Sequence, residues 1–379
     1  MSKKQPIACP VKKTSIGGQA LMEGIMMRGP KQTAMAVRNP QGEIVLETFA
    51  TEGKKRPAIC RWPVIRGVFG FIDSMTLGYK CLMRSAEISG LEELEAEMER
   101  EKAAKKAAKK AAKKAAKMNS KKTAKSPAEE PEITPAATAE EPITVADTAE
   151  PAVAPPAEET KNKKESSAMM TCLMVFSVIF AFAIAIGLFV VLPAWLYDHL
   201  LERYIPWCRE NARWLQSVFE GFMRVILLVG YMSLMLLMKD IRRTFQFHGA
   251  EHKTIFCYEH GKELTVENVR GEKRFHPRCG TSFLILMMLV SIVVGFFIPS
   301  TLPTIIRVLC KLALFPVIMG LGFELIKFCG RHDNWLTRLI SLPGVWLQHI
   351  TVLEPDDRMI ECAIVAMKEV IPSDESDSW

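Results

Sequence analysis

Four stretches of this chain are long and apolar enough to cross a bilayer: about Met169–Tyr197, Val218–Met238, Ser282–Thr301 and Thr304–Phe328. A span takes roughly 20 mainly apolar residues. Inside hydrocarbon every backbone polar group must bond within the protein, so each stretch is expected to be a helix. Basic residues set the orientation. Lysines crowd the segment before the first span, nine Lys and Arg lie between Lys239 and Gly280, and Arg331 and Arg338 follow the last span. The turn around Pro299–Pro303 has no charge, although Arg307 and Lys311 interrupt the final stretch. This pattern predicts four spans with both termini in the cytoplasm. Met1 to Lys13 is polar and basic, without the apolar core of a signal peptide.

The formal net charge of +7 conceals strong segregation, with 24% charged residues gathered outside the apolar stretches. Residues 14–90 read as a cytoplasmic β-meander followed by an amphipathic helix. The strand-like runs are Leu21–Met27, Ala34–Val37 and Ile44–Phe49, separated by Gly29-Pro30 and Asn39-Pro40-Gln41-Gly42. Pro63–Glu87 reads as a helix at the membrane surface or packed on the spans. Its Arg66, Asp73, Lys80 and Glu87 recur every seven residues in one polar stripe. Residues 91–168 are Lys/Ala-rich and then Pro/Ala/Glu-rich, and cannot bury a core. The plain reading is a solvated tether, and the sharper one a contact of its lysines with anionic lipid or nucleic acid. Residues 169–329 form the four-helix transmembrane domain, with a loop at 239–281. Residues 330–371 form interfacial helices broken at Pro343-Gly344 and a last helix with aspartates at its start. The fold class is thus mainly α: four transmembrane helices, a small N-terminal β-meander and cytoplasmic or interfacial helices.

The ten cysteines have no framework spacing, and a reducing compartment leaves those of the cytoplasmic side as thiols. Two clusters concentrate the chemistry. His248-Gly-Ala-Glu251-His252 sits after the second span, on a segment expected to continue that span through Ile241 and Phe245 and to stop at Gly261. On a helix, His248 and His252 share a face, with Glu251 on the same side. His-x-x-Glu-His is also the inverzincin pattern, in which both histidines bind zinc and the glutamate is general base. The second cluster is His276-Pro-Arg-Cys279, just before Thr281 and Ser282, which suit the cap of the third span. Arg278 and the helix start favour a Cys279 thiolate. Both clusters face one membrane side, so His248, His252, His276 and Cys279 could complete a tetrahedral zinc shell. Packing histidines and a packing cysteine are the plain alternative.

His260 is a secondary ligand. Glu324, near the end of the last span, is either functional or in a structural ion pair with Lys327 or an arginine such as Arg331. Glu354, Asp356 and Asp357 are explained by helix capping more simply than by a metal. Gly17-Gly18-Gln19 reads as a glycine-constrained turn entering a strand. No Walker-type phosphate loop or nucleophile elbow is present.

Several of these motifs, in this order, resemble the YqhQ-like family of bacterial integral membrane proteins, built around a domain of unknown function. They are Ser15 to Pro30 (SIGGQALMEGIMMRGP), the His248 cluster, Leu264 to Arg270, His276 to Ser282, and Glu354-Pro-Asp-Asp357. The resemblance covers about residues 14–90 and 168–371; the Lys/Ala and Pro/Glu insert departs from it. Its members carry the label of predicted metal-dependent enzyme. That implies a metal at His248, His252, His276 and Cys279, and a multi-pass protein of the bacterial cytoplasmic membrane.

Two functions are expected to compete. One is a metal-dependent hydrolase, with zinc or another divalent transition metal and Glu251 as general base. The other is a non-enzymatic scaffold or binding protein with a structural metal, its partners the bilayer, a second copy, or a protein held by the β unit. Four protein ligands would leave no open position and favour the second. A transporter or channel has less support, because few polar residues lie in the spans. Nucleic acid is not an expected partner.

Overall fold

The computed structural model describes residues 12–51, 57–90, 173, 175–205, 207, 212–332, 334–374 and 376–377. Residues Met1–Glu92 and Ile184–Trp379 form one compact unit, which holds the candidate site. The second unit is Glu93–Ala183, described at Leu173 and in the helical stretch 175–183. The tether expected over 91–168 lies outside the described residues.

The N-terminal part is an antiparallel meander of four strands, β1 (Gly17–Leu21), β2 (Gly24–Arg28), β3 (Gln32–Arg38) and β4 (Ile44–Ala50), in the order β1-β2-β3-β4. The sequence predicts three strands. The run Leu21–Met27 is in fact cut by a two-residue hairpin, Leu21 facing Gly24 with Met22 and Glu23 between them. Such hairpins need positive φ, usually supplied by Gly, Asn or Asp. Here Glu23 adopts φ 50°. Arg243 grips its carboxylate through two bonds of 2.5 and 2.6 Å, a tertiary contact that local sequence does not announce.

Alternation along the strands buries both faces of the sheet. Ile25, Met27, Ala34 and Ala36 enter one core, with residues of three helices: α4 (Lys239–Glu259), α5 (Val266–Arg270) and α9 (Asp357–Val370). Met26, Met35 and Val37 enter another, against Cys81 of α1 (Ile65–Ser89). Asp356 caps α9 by accepting the Met359 N–H at 2.9 Å, so capping accounts for that aspartate. Asp357 pairs with Arg270 and Glu354 with Lys253.

Three described helices are long and apolar enough to cross a membrane: α2 (Val175–Tyr204), the stretch Trp214–Met235 of α3 (Ala212–Met235), and α7 (Thr304–Arg331). The fourth expected span, Ser282–Thr301, is a shorter apolar helix, α6 (Gly280–Gly295). Its 16 residues rise about 24 Å, short of the roughly 30 Å hydrocarbon thickness. Two further expectations are corrected. The His248 segment does not continue α3, because the helix breaks at residues 236–238 and Met238 turns extended with ψ 125°. Pro343-Gly344 does not break the chain either; both lie inside α8 (Trp335–Thr351), where Gly344 presses on Ser282 of α6.

Helix α1 bridges the two regions. Near its start, Gly67 lies so close to Gly320 and Phe323 of α7 that a Cβ there would sit 2.8 Å from the Phe323 Cβ. Small residues permit this approach between helices. Farther along, α1 covers the sheet. Of the two expectations, a helix at the membrane surface or one packed on the spans, the contacts with α7 match the second, and the sheet is a further partner.

Candidate metal centre

Helix α4 carries the first cluster. It ends with His260 as cap and Gly261 at φ +65°, the stop expected from sequence. Phe247, Ala250 and Ile255 turn toward the core, which places His248, Glu251 and His252 along the adjoining edge. The His248 and His252 rings are 4.5 Å apart, centroid to centroid. Between them in sequence, Gly249 admits the chain after α8. A Cβ at Gly249 would lie 1.9 Å from the Leu353 carbonyl oxygen, so only glycine fits. This approach brings the Thr351 carbonyl to His248 Nδ1 at 2.9 Å.

Both imidazoles are oriented the same way. His248 Nδ1 donates to the Thr351 carbonyl, and His252 Nδ1 donates to the Arg274 carbonyl at 2.5 Å. A carbonyl only accepts, so each Nδ1 carries a proton and each Nε2 is turned to the site. His248 Nε2 is 3.1 Å from Cys279 Sγ. His252 Nε2 is buried and has no hydrogen-bond partner among the described residues. Ligand atoms of His248, His252 and Cys279 all lie within 4.8 Å of one another.

Cys279 is the N-cap of α6. Its sulfur accepts the Thr281 N–H at 3.4 Å and lies 3.1 Å from the Thr281 hydroxyl. Burial works against a thiolate here, yet the charges of His248 and His252 outweigh it and hold the Cys279 thiol well below its ordinary range. Burial likewise opposes charge on His248, and the Cys279 sulfur overrides it and raises His248 to about 9. Both shifts share a cause, the 3.1 Å approach of His248 Nε2 to Cys279 Sγ. Burial lifts Glu251 above the ordinary carboxylate range, with the two histidines pulling the other way.

The structure gathers three of the four sequence-predicted ligands and leaves His276 out. His276 Nε2 faces Glu259 at 3.5 Å, and its Nδ1 accepts the Arg278 N–H at 3.2 Å. Gln348 of α8 clamps the same residue, accepting the His276 N–H at 2.8 Å and donating to its carbonyl at 2.7 Å. His276 thus anchors the loop that delivers Cys279. His260 is also elsewhere, 2.9 Å from Glu272. Glu324 is in an ion pair with an arginine, Arg66, through bonds of 2.6 and 2.5 Å.

Sequence reasoning missed Gly18. It lies within β1, and its N–H donates to Glu251 Oε1 at 3.1 Å. Gln348 and Glu259 were missed too, since nothing in their local sequence marks a polar residue that will be buried. Glu251 borders two cavities. One of about 110 Å³ reaches His252 and Cys279; the other, about 610 Å³, is a groove shared with His248 and Thr281.

Over residues 62–373 the chain matches the family described as "Protein of unknown function (DUF1385)". It belongs to that family. The match runs from α1 through α9 and includes His248, Glu251, His252 and Cys279, while the sheet precedes it. The chain is also similar to "Uncharacterized protein YqhQ" of Bacillus subtilis (strain 168), 28% identical over 359 residues, covering 94% of this chain and 92% of that one. No solved structure matches it.

Proposed function

We propose that this DUF1385 protein is a membrane-bound metal-dependent hydrolase, with His248, His252 and Cys279 holding zinc or a similar divalent transition metal. The donor set fits such an ion. Two imidazoles with Nδ1 tied to carbonyls and one thiolate are borderline-soft ligands. The partnerless, buried Nε2 of His252 is the observation that carries the fit.

Three protein donors leave one tetrahedral position open, which is the catalytic rather than the structural pattern. His276, the donor that would have closed the shell, is held by Glu259, Arg278 and Gln348. When bound, the ion supplies Lewis acidity. Glu251 serves as general base. Its Oε1 is fixed by Gly18, and burial raises its pKa above the ordinary carboxylate range, against the pull of the two histidines. The groove beside Glu251 and His248 admits the substrate. The basic residues of 239–280 support a site on the cytoplasmic side.

Elemental analysis of the purified full chain tests this. About one divalent transition-metal ion per chain is expected, lost in His252→Ala and kept in Glu251→Gln, which loses turnover of acyl ester or amide reporters. Metal-free protein from metal-supplemented cells would overturn the reading.

The burial of His252 and Cys279, 2% and 5% exposed, favours a second reading, a structural metal that staples α4 to the start of α6. It predicts that Glu251→Gln changes nothing, whereas ligand variants lower protein abundance.

A further inference from the structure

The 610 Å³ groove has two kinds of lining. Its polar groups come from His248, Glu251, Thr281 and Thr244, with Gln19 and Ser74. Its walls are Phe71 and Met75 of α1, Phe283 and Leu284 of α6, and Phe323 of α7. Phe71 and Phe283 meet across it with ring centroids 5.9 Å apart. The volume is that of a small-molecule site, roughly 300–1,000 Å³. Helix α7 is long and apolar enough to cross a membrane, and α6 is apolar throughout. On the segments leading from these walls, Phe297 and Ile305 stand 82% and 75% exposed, as a lipid-facing surface requires.

These features select an occupant. A polar metabolite would leave the aromatic walls unused. An extended peptide would need the free edge of β1, but the Gly18 N–H on that strand is already given to Glu251. An acyl lipid satisfies both kinds of lining, its chain against the aromatic walls and its head-group linkage beside Glu251.

Building on the proposed hydrolase, we infer that the substrate is a membrane lipid with an ester- or amide-linked acyl chain. It enters sideways from the bilayer and lays that chain between α1, α6 and α7. The carbonyl linkage then lies beside His248 and Glu251, and the wall residues select for acyl chains without touching the metal.

Photolabelling tests this without reference to turnover. The full chain is placed in phosphatidylethanolamine/phosphatidylglycerol nanodiscs. These are doped with a phospholipid bearing a diazirine beside the acyl carbonyl, or with the matching free fatty acid. Labelled peptides are then read by mass spectrometry. The phospholipid is expected to label residues 244–251, which lie on no candidate span, as well as Phe297, which reports the surrounding bilayer. Gly70→Leu fills the groove. A Cβ at Gly70 meets only the Phe323 ring at 3.8 Å, so the helix tolerates it. Labelling at 244–251 should then fall by roughly tenfold while Phe297 labelling holds. Leu284→Trp makes the same test should Gly70→Leu fail to accumulate. No label at 244–251, label unmoved by both variants, label from the free fatty acid alone, or competition by an extended peptide but not by lipid would each overturn the inference. Metal content of the same preparation separates the two ideas. A labelled groove in metal-free protein defeats the hydrolase reading alone, and an unlabelled groove in metal-loaded protein defeats the lipid inference alone.

Discussion

The Gly18 N–H donates to Glu251 Oε1 at 3.1 Å, joining residues 233 positions apart. A backbone donor from the first strand thereby sets the orientation of the carboxylate on α4. The Gly-Gly pair near the N-terminus and the His-x-x-Glu-His string belong to one site.

Substituting Gly18 should damage both fold and site. A Cβ there would lie 2.8 Å from the Met26 carbonyl oxygen and 2.9 Å from Glu251 Cγ. The first of these is backbone and cannot yield cheaply. Gly18→Ala is expected to cost about 1–3 kcal/mol, read by denaturant or thermal unfolding in detergent. Gly17→Ala, with nothing within 4 Å of its Cβ, should be close to neutral. Equal effects of the two would contradict the packing described.

The histidines should separate by role. His248→Ala, His252→Ala and Cys279→Ala are each expected to abolish stoichiometric metal in elemental analysis. His276→Ala should retain metal if the chain folds, because its ring nitrogens face Glu259 and Arg278. Glu324→Gln should also retain it, since that carboxylate serves Arg66. A folded, metal-free His276→Ala protein would restore a four-ligand, closed shell.

Gln348 holds the loop that carries Cys279, bonding His276 twice and the Ser282 hydroxyl once. Gln348→Ala strands buried polar groups at about 1–3 kcal/mol each. Metal affinity should fall by roughly 10–100-fold, as for outer partners of metal sites. Competition with a chromogenic chelator measures this; unchanged affinity in a folded variant would show that the clamp does not position Cys279.

Glu259 predicts an acid limit. Burial alone would raise its pKa, but the His276 hydrogen bond and the Arg278 charge outweigh burial and hold it below the ordinary value. A carboxylate whose folded pKa lies below its unfolded one, about 4.3, stabilises the fold above that unfolded value. The contribution is lost as pH falls through the folded pKa. Unfolding midpoints measured from pH 6 to pH 3 should drop for the native chain, and Glu259→Gln should flatten the acid limb while lowering stability at pH 6. Parallel curves for both proteins would refute this account.

Much of the architecture was legible because it is periodic or compositional. Apolar length marked the three helices able to cross a membrane, apolar runs between turn signals marked β3 and β4, and i, i+4 spacing put His248 and His252 on one face. Errors arose where tertiary contact overrides local signals. Glu23 takes a turn conformation that Arg243 secures, Pro343 stays inside a helix packed on α6, and α3 stops short of the histidines.

The sequence by itself determined the donor types, the shared helix face of His248 and His252, and the helices long and apolar enough to cross a membrane. These follow from residue chemistry and helical repeat, which need no distant partner. Only the tertiary structure decided that Cys279 joins the pair while His276 does not, and that Gly18 orients Glu251. Cys279 and His276 are three positions apart and both chemically able to bind metal. What separates them is which buried partners the fold supplies. Glu259, Arg278 and Gln348 satisfy His276, and among the described residues His252 Nε2 alone of these imidazole nitrogens is left buried without a partner.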